Sequence, residues 1–377
     1  MTRGFERTSR PQVLAIPDRL EADVHLAGRG VVLGFIDSGF FPHADLMRPE
    51  RRILAYVDAA RPEPVAADFL VAHAAAWHGT MTACAAAGNG YLSGGHYRGL
   101  ASEAGVVFIK CSDEAGRIRG KHVAHALRLP LRHPELGLRI LNVSVGVDAG
   151  DPDLGEVFAA VRDVTRAGIA VFAAAGNREG APPEALASAP EAITVGGWDD
   201  GNTRETDDDT RFPSSHGGGK PDLLAPAVWL PAPMLPGTAE AREAAILFQL
   251  VSVLEEALER AAFSGRRQAL SERDRASIEG TLAAAAARVK HQKFISTDYQ
   301  HVEGTSFAAP ITASVAAQML EADPTLTPAL LREGLRATAE RVVGLPEEAQ
   351  GAGVLRPLAA VRWVRERLRA EAAVGGR

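Results

Sequence analysis

The sequence contains little cysteine and no long apolar run. Only 2 of its 377 residues are cysteines, Cys84 and Cys111, and this number excludes a disulfide-stapled scaffold or a cysteine-rich metal site. Both cysteines lie in apolar stretches, so we expect buried, reduced thiols. No stretch reaches the roughly 20 apolar residues that a transmembrane helix needs, so no membrane partner is predicted.

An excess of positive charge is also missing. The formal net charge is -6, which gives no electrostatic attraction to phosphate backbones, so nucleic acid is not expected as a partner. The first ten residues are charged and lack the apolar core of a secretory signal. The sequence as it stands therefore predicts a cytoplasmic protein. Because only residues 1–29 precede the first predicted strand, folding assisted by a long amino-terminal prodomain is not expected.

What the sequence does contain is a regular alternation of short apolar runs and amphipathic stretches. Runs rich in Val, Ile or Phe, short enough for strands buried on both faces, occur at residues 31–36, 105–110, 139–145, 169–174 and 192–195. Helical spacing predicts helices at 78–87, 118–131 and 154–167. This order predicts an α/β fold with a mostly parallel central sheet flanked by helices, in which sites lie at the carboxyl ends of strands.

A change of composition after Pro226 marks an inserted segment. Several prolines precede an Ala-, Glu-, Arg- and Leu-rich region whose spacing predicts two helices, 238–262 and 269–290, broken near Ser264 and Gly265. We expect this hairpin to serve packing or partner binding rather than chemistry. Three further helices are predicted after it, at 305–320, 328–339 and 357–370.

Four polar residues stand where strands end or helices begin: Asp37, His78, Asn177 and Ser306. A serine at the amino end of a helix faces free N–H groups and the positive end of the helix dipole, which suit a developing oxyanion. Each residue alone is equally typical of a turn, a helix cap or a partly buried histidine. The ordered set of four is much more specific than its members.

These residues resemble the motifs of the subtilisin-like serine peptidases, the subtilase family. The similar segments are 36–39 (Ile-Asp-Ser-Gly), 78–80 (His-Gly-Thr), 174–177 (Ala-Ala-Gly-Asn), 220–222 (Lys-Pro-Asp) and 304–310 (Gly-Thr-Ser-Phe-Ala-Ala-Pro). The resemblance implies a three-layer subtilisin-like fold. It divides the chain into an amino-terminal extension (1–29), a peptidase domain (30–361) interrupted by the helical insertion (238–290), and a helix end and tail (362–377).

The resemblance also implies a serine endopeptidase that cleaves proteins or peptides through an acyl-enzyme intermediate, with no cofactor required for the chemistry. Ser306 would attack the scissile carbonyl, and His78 would take and return the proton. Asp37 would hold the imidazole, and Asn177 would donate to the oxyanion together with the Ser306 N–H.

An extended substrate is expected to bind beside this triad. Residues 141–146 look like the family's edge segment that pairs with a peptide, and residues 173–176 like the opposite wall of the P1 pocket, which takes the side chain preceding the scissile bond. Without the triad, a plain strand end would explain residues 144–146 as well. The small walls predict a roomy, apolar pocket. The substrate-binding residues implied are Ser144, Val145, Gly146, Ala174, Ala175 and Gly176.

Some positions depart from the family's pattern. Met81 and Phe307 stand where many members carry histidine and methionine, and both keep a packing role. Glu303 precedes Gly304, where its carboxylate could raise the pKa of His78 or favour a cationic substrate residue. The insertion stands just ahead of the nucleophile in sequence, so we expect it to cover the cleft, mediate assembly or receive an activating partner.

Structural calcium is common in the family, and Asp45 stands where a ligand often lies. The sequence around it is poor in carboxylates for a cation that takes about six to eight oxygens. The acidic run at residues 207–209 is a second candidate. A solvated acidic loop explains both.

Two other functions compete with a peptidase. A catalytically silent subtilase scaffold that binds partners predicts a missing triad member, and none is missing. A lipase-like hydrolase would need a Gly-x-Ser-x-Gly turn and the chain order Ser, Asp, His. Here the order is Asp37, His78, Ser306, which excludes the lipase-like class.

Overall fold

The computed structural model describes residues 13–61, 72, 75–263 and 270–375. Its main sheet has the eight strands β1 (Val32–Asp37), β2 (Ile53–Asp58), β3 (Gly105–Lys110), β4 (Leu138–Val143), β5 (Ala170–Ala174), β6 (Ile193–Asp199), β7 (Thr210–Arg211) and β8 (Leu223–Pro226). The strand order is β2-β3-β1-β4-β5-β6-β7, and β8 also pairs with β6. Neighbours run parallel, except for β6 and β7.

Helices cover both faces of this sheet because successive side chains of a strand point to opposite sides. In β1, Leu33 and Phe35 enter one core and Ile36 enters the other. The helices of this part of the chain are α1 (Ile16–Arg19), α2 (Ala44–Met47), α3 (Trp77–Ala87), α4 (Gly120–Leu127), α5 (Leu129–Arg132), α6 (Leu154–Arg166), and, after the insertion, α9 (Thr305–Ala322), α10 (Pro328–Ala337), α11 (Glu347–Gln350) and α12 (Pro357–Gly375).

The two helical layers contain different helices. Side chains of α3 and α9 pack in the first core, and those of α4 and α6 pack in the second. A mostly parallel sheet between two layers of helices is the predicted fold class, which is confirmed. The apolar pattern was therefore sufficient to predict the architecture.

The structure differs from the predicted elements in two places that have clear physical causes. Strand β2 was missed because it is only partly buried, with Leu54 52% exposed, and so lacks a continuous apolar run. The helix predicted at 118–131 is two helices, α4 and α5. Pro130 lies in the first turn of α5, where its missing N–H costs nothing, whereas within a continuous helix it would remove a hydrogen bond.

Residues 233–301 belong to a separate compact unit. It is built on α7 (Ala239–Phe263) and α8 (Glu272–His291), between strands β9 (Leu230–Pro233) and β10 (Tyr299–Val302) of the chain. These two helices agree with the predicted hairpin, whereas the predicted break near Ser264 and Gly265 lies outside the described residues. The assignment of domains along the chain stays a prediction. The core of this unit is small and contains Met234, Ala244, Phe248, Val289 and Phe294.

The two thiols behave as the composition suggested. Cys84 and Cys111 are free and buried, and burial raises the pKa of both well above its ordinary value. Both are therefore protonated, unreactive core residues. Among the described helices, none has the length and apolarity needed to cross a membrane.

Candidate active site

Three neighbouring strands end side by side at the carboxyl edge of the sheet and position the predicted site. Asp37 is the last residue of β1, and β1 pairs with β4, which pairs with β5. Ser144 directly follows β4, and Asn177 lies three positions beyond the end of β5 at Ala174. Because the strands are parallel, residues far apart in sequence meet at one edge.

Asp37 and His78 lie within ion-pair distance of each other, and the carboxylate is buried. Nδ1 of His78 lies 2.9 Å from Oδ2 and 3.0 Å from Oδ1 of Asp37. The carboxylate is fully buried and also accepts a hydrogen bond from the Ser38 N–H at 2.7 Å. The His78 side chain is 25% exposed, so the ring bridges the buried carboxylate and solvent. This arrangement fixes the proton on Nδ1 and leaves Nε2 as the proton acceptor.

Gly79 permits this close approach. A Cβ placed on Gly79 would lie 2.4 Å from the Gly39 carbonyl oxygen and 2.8 Å from the Cβ of Asp37. Any other residue would push the start of α3 away from β1. Glycine, which has no Cβ, is therefore required after His78 for His78 to approach Asp37.

The pKa of His78 reflects two opposing effects. Burial of the ring lowers the pKa, but the charge of Asp37 and the hydrogen bond to it raise the pKa above the ordinary 6.5. The group that raises the pKa is thus Asp37, whereas the sequence had pointed to Glu303 as a candidate.

We expect kcat/KM for a peptide to rise with pH through an apparent pKa above 6.5, because only the neutral imidazole can take a proton. The Glu303→Gln variant should show the same apparent pKa. The measurement is a pH–rate profile of both proteins on one substrate. A lower apparent pKa in Glu303→Gln would show that Glu303, rather than Asp37 alone, sets the titration.

Ser306 lies in the first turn of α9, where backbone N–H groups have no acceptor within the helix. Pro310 lies one turn later in the same helix and cannot donate to the Ser306 carbonyl. That carbonyl instead accepts a hydrogen bond from Ser144 Oγ at 2.9 Å. The Ser144 hydroxyl accepts in turn from Nδ2 of Asn142 at 2.9 Å. Because Pro310 does not donate to the Ser306 carbonyl, that carbonyl can accept from Ser144. Ser144 directly follows β4 and so holds the turn that carries Ser306 in place.

The structure brings His78 beside the first turn of α9. The rings of His78 and Phe307 are in edge contact, with centroids 5.9 Å apart. Ser306 Oγ donates to the Ser144 carbonyl at 3.5 Å, and among the described residues no hydrogen bond joins Ser306 to His78. Catalytic hydrogen bonds are often long without substrate and tighten in its complex. A rotation about the Cα–Cβ bond of serine redirects its hydroxyl without moving the helix.

Asn177 is anchored through its oxygen. Oδ1 accepts from the backbone N–H and the hydroxyl of Thr305, both at 2.9 Å, and this pattern assigns the NH₂ group to the other side of the amide. A Cβ on Gly304 would lie 3.3 Å from Nδ2 of Asn177, and Gly304 has a φ of 126°, which favours glycine. The NH₂ group and the Ser306 N–H are donors of the kind that stabilise an oxyanion, and their joint action on one carbonyl oxygen stays a prediction.

The sequence did not identify Thr305 as a site residue. It is buried, and its hydroxyl also accepts from the Gly176 N–H at 3.1 Å. It therefore holds Asn177 and the end of the β5 segment together. Its position next to the nucleophile was the available signal, but a threonine there is also the usual helix cap.

The predicted peptide-pairing segment needs a correction. Residues 141–143 belong to β4 and pair with β1 on one side and β5 on the other, so the prediction of an edge segment is wrong for them. Only Ser144, Val145 and Gly146 lie beyond the paired part of the strand. The Ser144 side chain is buried against α9. Backbone pairing of this three-residue segment with a substrate stays a prediction.

The apolar P1 pocket with a small wall at Ala174, Ala175 and Gly176 stays a prediction of the resemblance. The structure adds a carboxylate beside these residues. A Cβ placed on Gly146 would lie 2.8 Å from Oε2 of Glu184, and one on Gly176 would lie 3.3 Å from Oε1. The sequence offered no signal for Glu184, because it stands in a proline-rich loop outside every motif.

The residues that the sequence raised for calcium do not form a convincing cation site. Asp45 is buried beside His43, with 3.7 Å between Oδ1 and Nδ1, and accepts from the Leu92 N–H. Asp208 accepts from Thr203, and Asp209 from the Trp198 indole. Within the described ranges, no group of three or more His, Cys, Asp or Glu side chains could hold a metal ion. Calcium binding stays a prediction of the resemblance alone.

Known proteins resemble this chain in sequence and in fold. The family model for the subtilase family matches residues 28–353. The serine protease AprX of Bacillus subtilis (strain 168) is 28% identical over 346 residues, which cover 88% of this chain and 66% of AprX. The chain thus spans about two thirds of the length of that relative.

A solved structure of proteases from Pseudoalteromonas arctica PAMC 21717 shares the fold. It superposes with a TM-score of 0.59 at 18% identity, over 93% of this chain and 94% of the other. A likeness at this identity speaks for the fold alone. The family match covers most of the chain, and so the chain belongs to the subtilase family of serine peptidases.

Proposed function

We propose that the protein is a serine endopeptidase in which Ser306 is the nucleophile, His78 the general base and Asp37 the residue that orients it. The observation that carries the proposal is the bifurcated contact of His78 Nδ1 with the buried carboxylate of Asp37, at 2.9 and 3.0 Å. A histidine that only lies on the surface does not require a buried carboxylate beside its Nδ1. The ring lies beside the helix turn that carries Ser306.

The first half of the reaction follows from these positions. Ser306 Oγ adds to the peptide carbonyl while its proton passes to Nε2 of His78. The imidazolium that forms is stabilised by Asp37. Negative charge develops on the carbonyl oxygen, where the Asn177 NH₂ and the Ser306 N–H donate. His78 then gives its proton to the leaving amine, and the acyl-enzyme remains.

The second half repeats these roles with water. His78 takes a proton from water as it attacks the ester of Ser306, and the same two donors stabilise the second oxyanion. When the ester bond breaks, His78 returns the proton to Ser306. No step needs a cofactor, because the protein's own base and donors handle every proton and charge.

Control by the helical unit is the second part of the proposal. Helix α7 exposes apolar side chains, with Ile246 66% and Val253 58% exposed, and exposed apolar positions one or two turns apart can form a contact surface for a partner helix. We propose that residues 238–290 regulate activity through such a partner. The alternative function, a silent scaffold, would use the same surface without turnover.

A fluorophosphonate probe tests the proposal, because it reacts only with an activated serine. We expect labelling of the wild-type protein and none of Ser306→Ala, with Ser314→Ala, a buried serine of the same helix, as the matched control that keeps its label. Cleavage of an internally quenched peptide with blocked ends should follow the same pattern and separates endopeptidase from exopeptidase activity.

The other outcomes are equally informative. Labelling that appears only after addition of a cellular extract would assign control to a partner. If neither labelling nor cleavage occurs with or without extract, the protein is a silent scaffold and the proposal is wrong.

A further inference from the structure

An acidic side chain, Glu184, lies beside the segments that the resemblance assigns to the P1 pocket. Its carboxylate lies between two glycines from different strand ends: Oε2 lies 2.8 Å from a Cβ placed on Gly146, and Oε1 3.3 Å from one placed on Gly176. These glycines belong to the two segments that flank the expected substrate. The space that a P1 side chain would enter is therefore bordered by negative charge.

The loop holds Glu184 in this place. Its N–H donates to the Ala175 carbonyl at 2.9 Å, and its own carbonyl accepts from the Ser188 N–H at 3.1 Å. The backbone is thus fixed to the pocket wall itself. The Glu184 side chain is 31% exposed, so it is partly covered by the protein and still accessible to a ligand.

The charge of Glu184 is only weakly compensated. Among the described residues it pairs with Arg178, with 3.8 Å between the guanidinium and Oε1, and the Arg178 side chain is 75% exposed. An exposed pair at this distance is held loosely and contributes little. A substrate cation that enters the pocket excludes water and can make a shorter, charge-assisted hydrogen bond. The carboxylate is therefore available to a ligand.

We propose that Glu184 makes the P1 pocket selective for lysine and arginine side chains. The inference rests on the proposed peptidase function and adds its substrate class. In this proposal the aliphatic stem of the P1 residue packs against the small residues Ala174 and Gly176, and its cation meets the carboxylate of Glu184. Glu184 acts as a specificity-determining residue and takes no part in the proton transfers.

The experiment compares kcat/KM for peptides that differ only at P1, with lysine, arginine, norleucine or glutamate in that place. The wild-type protein should prefer lysine and arginine over norleucine by about ten- to a hundred-fold, the range of one charged hydrogen bond. Glu184→Gln should remove most of this preference, and the loss should fall on the basic substrates.

Two matched variants sharpen the comparison. Glu179→Gln removes a neighbouring carboxylate that pairs with Arg211 and should leave the preference unchanged. Arg178→Ala removes the competing cation and should increase the preference for lysine. Added salt should weaken the preference in the wild-type protein, because the interaction is one between charges.

The outcomes separate this inference from the proposed function. Turnover of the norleucine peptide with the same P1 preference in wild type and Glu184→Gln would overturn the role of Glu184 and leave the peptidase function standing. Turnover of norleucine by Glu184→Gln also shows that the variant is folded. If no peptide is cleaved and Ser306 is not labelled, both proposals are wrong.

Discussion

Replacement of His78 by alanine should lower kcat by about a million-fold, the size of the loss in subtilisin. The reason lies in the geometry: the imidazole is held by Asp37 at 2.9 Å beside the helix turn that carries Ser306. Without it, the hydroxyl has no base and stays protonated at neutral pH. The residual rate would come from substrate binding and the oxyanion donors.

The measurement is kcat on a quenched peptide, together with thermal unfolding of both proteins. His96→Ala is the control, because His96 is exposed and packs against Tyr97 outside the site. The His78 variant should unfold cooperatively like the wild type. A loss smaller than about a hundred-fold in a folded His78→Ala protein would contradict the assignment of His78 as the base.

Replacement of Asp37 by asparagine should lower kcat by about ten-thousand-fold, the size expected when this group is changed in a serine peptidase triad. The amide is close in shape to the carboxylate, so packing at this buried position is largely kept. It donates rather than accepts toward Nδ1 of His78, however, so the proton moves to Nε2. The ring then presents a donor to Ser306 where a base is needed.

The pH dependence of activity gives a second test of the role of Asp37. Its negative charge raises the pKa of His78 against the opposing effect of burial. In Asp37→Asn only burial and neutral contacts remain, so the apparent pKa of the residual activity should fall below that of the wild type. Asp208→Asn, in an exposed loop, is the matched control for loss of one carboxylate. An unchanged apparent pKa in Asp37→Asn would contradict this account of the titration.

Much of the fold could be predicted because strand and helix patterns are local. The run at residues 105–110 became β3 with the same bounds, and the predicted insertion contains α7 and all of α8 except its last residue, His291. The prediction failed where burial was incomplete, as in β2, or where one proline split a pattern, as at Pro130. Both failures arise because a pattern reports average burial and not the surroundings of each residue.

The candidate site, like the fold, could be predicted only in part from the sequence. The order of Asp37, His78, Asn177 and Ser306 along the chain was enough to indicate a peptidase, since that order reflects the strand and helix ends that carry them. It did not show that Thr305 fixes the amide of Asn177, or that the Ser144 hydroxyl supports the Ser306 carbonyl. These contacts join residues from separate elements.

By itself, then, the sequence determined the class of fold and the kinds of side chain available for chemistry, because apolar spacing and motif order are properties of the chain. The tertiary structure alone decided which of these groups touch. Asp37 meets His78 because Gly79 lets α3 approach β1, and Glu184 lies beside Gly146 and Gly176 because its loop bonds to Ala175. Contacts of this kind depend on strand order and loop path, which no local pattern specifies.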